Sequence, residues 1–372
     1  MKEFRVVPKI CMMDSSREFC EAFQVGERDL ILTNPSYYEG FMDAYAGKAT
    51  VVYLKSYGKG EPTDRMVEAL YRDIASLAFD RVIAVGGGSI IDVAKLLVQK
   101  DVLPLADLFD KKIATHKVKE LVIVPTTCGT GSEVTSVSVI DMTCKGTKLG
   151  LQTDEEYADY AVIIPELLQK LPQRFFATSS IDALIHAIES FMSPKATPFS
   201  EMFSKEAIRL ILQGYQQIVT KSDEIRPSII GDFMLASMYA GIAFSNAGCA
   251  AVHAMSMPFS GAYHVPHGEA NYVIFTGVFK AYNRLKPDGK IRILNHMLVE
   301  LLGCPEAECY EKLEKLLDQI LVKKSLRTYG VQREELSTFA NIVVTKQGRL
   351  MVNNYTPLDE QQVLEIYENL YE

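Results

Sequence analysis

The stretch RVIAVGGGSIIDVAKLLV, residues 81–98, decides how the first half of the chain is read. Residues 81–85 are a short β-branched run of the kind that forms a buried strand, and 90–98 repeat apolar side chains at helical spacing. Gly86, Gly87, Gly88 and Ser89 stand between them, so strand, glycine turn and helix follow one another without a linker. Glycines at such a turn let backbone N–H groups approach a pyrophosphate, and the following helix N-terminus favours its negative charge. The turn is not the GxGxxG fingerprint, and a plain βα connection uses the same residues.

Outward from this stretch the same alternation continues. Residues 29–34 (DLILTN) and 50–55 (TVVYLK) read as buried strands. Residues 63–77 read as a helix with Met66, Leu70 and Ile74 along one face and Thr63 as its N-cap. Downstream, ELVIVP (120–125) is another strand, followed directly by TTCGTGSE, a loop dense in hydroxyls and backbone donors. Strands alternating with helices predict a parallel, doubly wound sheet whose ligands bind at the carboxyl ends of its strands. Two glycine-rich loops at that edge point to a nucleotide. No Gly-Lys-Ser/Thr follows either loop, which argues against a Walker A site and ATP-driven phosphoryl transfer.

After Pro165 strand-like runs nearly vanish and helical patterns take over at 176–191, 200–219, 226–244 and 306–321. The expected organisation is an α/β, Rossmann-like dinucleotide-binding domain over 1–168 and an all-α, metal-binding catalytic domain over 169–372, with 165–172 as the hinge. The tail NNYTPLDEQQVLEIYENLYE reads as a turn at Thr356-Pro357 and a final amphipathic helix.

The helical half carries a second chemistry. Residues 248–271, GCAAVHAMSMPFSGAYHVPHGEAN, hold His253, His264 and His267 among small and apolar residues. In IDALIHAIES, Asp182 and His186 lie four positions apart, which stacks a carboxylate and an imidazole on one helix face. Such Asp/His sets suit a divalent transition metal. In one continuous helix His253 and His267 would lie about 21 Å apart, too far for one ion. The chain must therefore turn between them, and Pro258, Gly261 and Pro266 are the expected breakers. The competing reading is histidines satisfied singly by backbone carbonyls. A nucleotide loop in one domain and a metal set in the other suggest a site at the domain cleft and support hydride transfer.

Composition sets outer bounds. The 372 residues suffice for two cores, and 48% apolar with 23% charged content is that of an ordinary globular chain. A net charge of −8 and the lack of any Lys/Arg run argue against a nucleic-acid surface. No segment reads as a membrane span or signal peptide. Seven scattered cysteines without a CxxC pair fit free thiols in the cytoplasm better than a disulfide framework.

The motifs GGGSIIDVAK, PTTCGTGSEVT, DALIHAIE and AVHAMSMPFSGAYHVPHGEAN resemble those of the iron-containing (group III) alcohol dehydrogenases, and the resemblance runs along the whole chain. Within that family ILTN, ELVIVPTTCGTGSEVTSVSV, HVPHGEANY and MVNNYTP are most similar to the bacterial 4-hydroxybutyrate dehydrogenases. The resemblance implies the dehydroquinate synthase-like fold and metal ligands at Asp182, His186, His253 and His267. It implies NAD contacts from Gly86, Gly87, Gly88, Ser89 and Asp92. Thr126, Thr127, Thr130 and Ser132 are expected along the phosphate and nicotinamide ribose, with Lys148 near the ribose. Lys95 is expected on the surface or in helix packing, without a role.

Three departures qualify it. Many relatives place a proton-relay histidine four residues after the third ligand; Met257 stands there, and His264 is the expected substitute, acting with His267 in catalysis. Asn34 replaces the Asp that ends an early strand in NAD-selective relatives, so NAD is expected and NADP stays open. Ser180-Ile181 precedes Asp182 where relatives usually have Gly and an apolar residue.

The expected activity is reversible oxidation of 4-hydroxybutyrate to succinate semialdehyde with NAD and a divalent metal. Four protein ligands would close a tetrahedral zinc site, so Fe²⁺, which accepts a fifth ligand more readily, is favoured over Zn²⁺. A dehydrogenase of a neutral alcohol or diol is the alternative, and a dehydroquinate synthase-like lyase a remote one. The apolar AMSMPFSGAY segment lacks the basic residues that a phosphate-bearing sugar acid needs. A homodimer pairing an N-terminal edge strand is expected, with no membrane or nucleic-acid partner.

Overall fold

The apolar runs at 29–33, 81–86 and 120–125 show no polar alternation, the pattern of strands covered on both faces. In the computed structural model, which describes residues 3–372, they are buried strands of one sheet. The chain divides into two compact units, 6–171 and 172–372, the second also taking in the segment up to Arg5.

The first unit runs β1 (Lys9–Met12), α1 (Ser16–Ala22), β2 (Asp29–Thr33), α2 (Pro35–Tyr38), β3 (Thr50–Tyr53), α3 (Asp64–Ile74) and β4 (Arg81–Gly86). It continues with α4 (Gly88–Leu97), α5 (Leu105–Phe109), β5 (Glu120–Pro125), β6 (Val137–Met142), β7 (Thr147–Gln152) and β8 (Tyr160–Ile163). Six strands form a parallel sheet in the order β1-β8-β5-β4-β2-β3. The chain moves from β2 outward to β3, then returns to β4 on the other side of β2. That reversal is a topological switch point. Thr33 Oγ1 donates to the Val85 carbonyl at 2.8 Å, and Thr126 N to the Gly86 carbonyl at 3.0 Å. Asn34, the glycine turn and the TTCGTGSE loop thus leave three adjacent strands at one edge.

The antiparallel pair β6–β7 was not legible in sequence, because TKLGLQ is mostly polar and exposed. Strand β3 stops at Tyr53, short of Lys55, since Leu54–Ser56 is a 3-10 turn. Helix α3 matches its pattern: Thr63 accepts from Met66 N at 3.2 Å, and Met66, Leu70 and Ile74 are buried.

The second unit, among the described residues, is helical throughout. It comprises α6 (Gln173–Met192), α7 (Pro198–Lys221), α8 (Arg226–Ala247), α9 (Ala251–Tyr263), α10 (His267–Leu285), α11 (Lys290–Leu302), α12 (Cys309–Ile320), α13 (Leu336–Lys346), α14 (Gly348–Met351) and α15 (Glu360–Asn369), with short 3-10 turns. Helices α7, α8 and α10 pack around α6, which is buried on all sides from Ser180 to Met192. A helix enclosed this way must satisfy every polar side chain it carries inside the protein.

Two sequence expectations are corrected here. Helix α9 runs through Pro258 and Gly261; the chain turns only at His264, whose φ is 52°, and at Pro266. Proline costs one backbone bond, but burial of Met255, Ser256, Phe259 and Ser260 on both sides of it holds the helix. Residues 223–247 are, by length and composition, long and apolar enough to cross a membrane, although 61% of the apolar window is buried inside the fold.

Asp64 ties α3 to the β6–β7 turn. Its Oδ1 accepts from Thr143 Oγ1 at 2.6 Å and Arg65 N at 2.9 Å, and its Oδ2 from Cys144 N at 3.1 Å. Burial alone would raise this carboxyl; the hydrogen bonds outweigh it and hold the pKa down from 3.8 to about 2. A folded-state pKa below the unfolded one gives stability that is full above the unfolded value and lost as pH falls through the folded one. Asp64→Ala is therefore expected to cost about 2 kcal/mol at neutral pH. In denaturant titrations the gap between variant and parent should narrow once the pH drops below 3.8.

Candidate metal centre

On α6, four-residue spacing puts Asp182 and His186 one turn apart on one face, as predicted. His253 enters from the first turn of α9 and His267 from the first position of α10. One ligand atom from each of these four residues lies within 4.8 Å of the others. Asp182 Oδ1 is 3.8 Å from His253 Nε2 and 4.0 Å from His267 Nε2. The His186 ring stacks between Phe244, at 4.5 Å, and His253, at 4.6 Å. Asp182, His186 and His253 are buried, whereas the His267 side chain is 43% exposed, so the cluster opens on its His267 side.

These residues fit a divalent cation. Bonds of about 2.1 Å place neighbouring ligand atoms about 3 to 3.5 Å apart, so a contraction of at most about 2 Å closes the set. His253 Nε2 is buried without a hydrogen-bond partner, a costly state for a lone pair unless a cation takes it. Burial pushes the Asp182 carboxyl up, but the three imidazoles and Asn271 outweigh it and hold it below the usual carboxylate range.

Glu189, which sequence reasoning missed, governs this geometry. It is 1% exposed and sits three residues beyond His186 on the same helix. Helix α9 has no capping side chain of its own; Glu189 supplies one, accepting from Ala250 N at 2.9 Å and Val252 N at 2.6 Å. Its Oε2 also lies 2.6 Å from His253 Nδ1. A carboxylate only accepts, so Nδ1 carries the proton and Nε2 presents its lone pair to the cluster. Burial lowers the affinity of His253 for a second proton, yet Glu189 and Asp182 outweigh it and raise its pKa.

Asn271 was missed as well. One turn after His267, its Nδ2 donates to Asp182 Oδ1 at 2.7 Å and lies 3.1 Å from His267 Nε2. The spacings 182/186/189 and 267/271 were the available signals. Gly268 lets α10 approach α6: a Cβ there would stand 2.3 Å from the Thr178 carbonyl oxygen and 3.2 Å from Asp182 Cβ. Asn353, in the MVNNYTP stretch, donates to the Cys249 carbonyl at 2.8 Å and fastens the entry to α9. Glu189, Cys249 and His253 also converge, but both Glu189 oxygens are engaged by N–H groups and burial raises the Cys249 thiol. That trio is scaffold for the first cluster.

His264 is not among the converging ligands; it is exposed at the left-handed C-cap of α9, and Met257 is 37% exposed. At the sheet edge the two glycine-rich loops interlock. A Cβ on Gly87 would stand 3.1 Å from Thr127 Cγ2, and one on Gly88 3.1 Å from Thr130 Cγ2. The Thr126 and Thr127 hydroxyls are buried without partners. Ser89 is half-buried beside them in the first turn of α4. Asn34 Oδ1 accepts from Lys55 N at 3.0 Å, and Lys148, on β7, is ion-paired with Glu61. Asp92 and Ser132, expected on the cofactor, are bonded to each other at 3.0 Å. The surface reading of Lys95 is overturned: it is fully buried, because its ammonium finds three acceptors inside.

Removing the charge that orients His253 should weaken the centre. Glu189→Gln is expected to lower divalent-metal affinity about 10- to 100-fold, measured by competition with a chelator. Unchanged affinity would contradict the orienting role.

The family model for iron-containing alcohol dehydrogenase matches residues 10–165, and that for the C-terminal part of the Fe-containing alcohol dehydrogenase family matches 176–371. The chain is 49% identical over 371 residues, all of both chains, to 4-hydroxybutyrate dehydrogenase of Clostridium kluyveri. It is 34% identical over 291 residues, 78% of this chain and 72% of the other, to 1-propanol dehydrogenase PduQ of Salmonella typhimurium. Sulfoacetaldehyde reductase from Bifidobacterium kashiwanohense, solved in complex with NAD+, shares the fold with a TM-score of 0.84 at 22% identity, over 100% of this chain and 98% of that one. Matched by family models in both halves, this chain belongs to the iron-containing alcohol dehydrogenase family.

Proposed function

We propose that the protein is an NAD-dependent, metal-dependent oxidoreductase that interconverts 4-hydroxybutyrate and succinate semialdehyde. The carrying observation is the 49% identity to a 4-hydroxybutyrate dehydrogenase over the full length of both chains. The Asp/His cluster and the interlocked glycine loops support the reaction class.

Asp182, His186, His253 and His267 are the residues that would hold the metal, iron by family. A bound divalent ion supplies Lewis acidity towards an alcohol or aldehyde oxygen, and the nicotinamide supplies the hydride acceptor or donor. Glu189 keeps His253 in the ligating tautomer, and Asn271 steadies Asp182. Gly86, Gly87, Gly88 and Ser89 at the start of α4 offer backbone donors to a pyrophosphate. The unpartnered Thr126 and Thr127 hydroxyls, with Thr130, add polar groups at the same edge. Asn34 spends its oxygen on Lys55 N, which leaves its amide to donate to a ribose hydroxyl; carrying no charge, it does not repel a 2′-phosphate. Lys148 is proposed near that ribose, reached by leaving Glu61. The domain roles follow: nucleotide on 1–168, metal on 169–372. Cytoplasmic location and a homodimer complete the proposal, the latter supported by the edge strand β1, whose Ile10 and Met12 are exposed.

The deciding assay is NADH oxidation on metal-stripped protein reloaded with Fe²⁺ or Zn²⁺. Succinate semialdehyde should exceed butyraldehyde in kcat/KM by about 10-fold or more, since a site built for a carboxylate rejects the analogue lacking it. Equal rates, or a preference for butyraldehyde, would discard the hydroxy acid and leave a neutral-alcohol dehydrogenase.

Proton transfer is assigned to the His264 imidazole, in place of the relay position occupied by Met257. In the direction of 4-hydroxybutyrate oxidation, where the relay takes up a proton, His264→Gln should lower turnover about 10²-fold at neutral pH and flatten the acid limb of the pH–rate profile. An unaltered profile and turnover would remove His264 from the mechanism.

A further inference from the structure

We propose that Lys95 is a positioning residue for the nucleotide, holding the 126–137 loop in its binding conformation; the proposal rests on the nucleotide reading above. Lys95 lies on α4, the helix that begins at the glycine turn, and is 0% exposed. Its Nζ donates to Ser132 Oγ at 2.8 Å, Thr135 Oγ1 at 3.1 Å and the Val137 carbonyl at 2.7 Å. An ammonium has three N–H donors, and all three are spent on one short segment. Asp92, one turn earlier on the same helix, completes the clasp: Oδ1 accepts from Ser132 Oγ at 3.0 Å and Oδ2 from Val139 N at 3.0 Å.

The glycine turn opens α4, and charged hydrogen bonds fix the second loop to that same helix, while Gly87 and Gly88 meet Thr127 and Thr130 of the second loop. A loop of Thr, Gly and Ser has little apolar surface with which to hold a shape. Charge-assisted bonds to a buried cation replace that missing packing. Burial lowers the Lys95 pKa, while Asp92, Glu156 and Glu133 offset part of the cost. Burial raises the carboxyls of Asp92, Glu133 and Glu156 as well, Glu133 up to about 7 and Glu156 up to about 8.

The test is NADH titration of the metal-loaded full-length protein, followed by nucleotide fluorescence. Lys95→Ala should raise the dissociation constant about 10-fold or more while metal content is unchanged. Propylamine in the buffer, which supplies the missing cation, should restore most of the affinity, and 1-propanol, which fills the same space without charge, should not. Unchanged affinity in Lys95→Ala, or equal rescue by propanol, would overturn the proposal. If Lys95→Ala does not fold, Thr135→Val carries the test, because it removes one acceptor and leaves the cation; unchanged NADH affinity there overturns it too. Absence of NADH binding to the parent protein would instead sink the nucleotide reading, and this proposal with it.

Discussion

The Glu189 carboxylate is the constraint on which the second unit depends. It lies inside an enclosed helix, where an ionised group must have its lone pairs answered. The answers are the first N–H groups of α9 and the Nδ1 proton of His253. One buried charge thus caps one helix, sets its entry onto another and chooses the tautomer of a ligand. Once α9 is docked this way, His253 has no freedom to turn its Nε2 elsewhere. Gly268 does the corresponding task for α10, since only a residue without a side chain lets the helix bring His267 over Asp182.

The sheet edge is organised by the same device with the sign reversed. There the buried charge is the Lys95 ammonium, and its partners are hydroxyl and carbonyl oxygens of a glycine-rich loop. In both places a flexible or uncapped backbone segment is fastened by an ion whose desolvation is tolerated only because its hydrogen bonds are complete. Asp92 and Ser132 take part in this fastening through the hydrogen bond between them.

Much of the fold was legible because it rests on local physics. β-Branched runs marked β2, β4 and β5, and a Thr N-cap with four-residue apolar spacing marked α3. The glycine turns announced where strands hand over to helices. The unread pieces have weak local signals: β8 has four residues, and β7 is largely polar. Pro258 misled in the other direction, since its local cost was outweighed by the buried side chains on both sides of it.

For the site, the sequence alone determined the Asp182/His186 pair, because four residues in a helix fix two side chains on one face whatever surrounds them. Family resemblance named the rest of the ligand set. Only the tertiary structure decided how His253 and His267, rather than exposed His264, meet that pair, that Glu189 and Asn271 support them, and that Lys95 turns inward. These outcomes depend on the docking of α6, α9 and α10, and of α4 against a distant loop. Each docking balances the burial of a charge against hydrogen bonds from residues far away in the chain, and no periodicity or spacing records that balance.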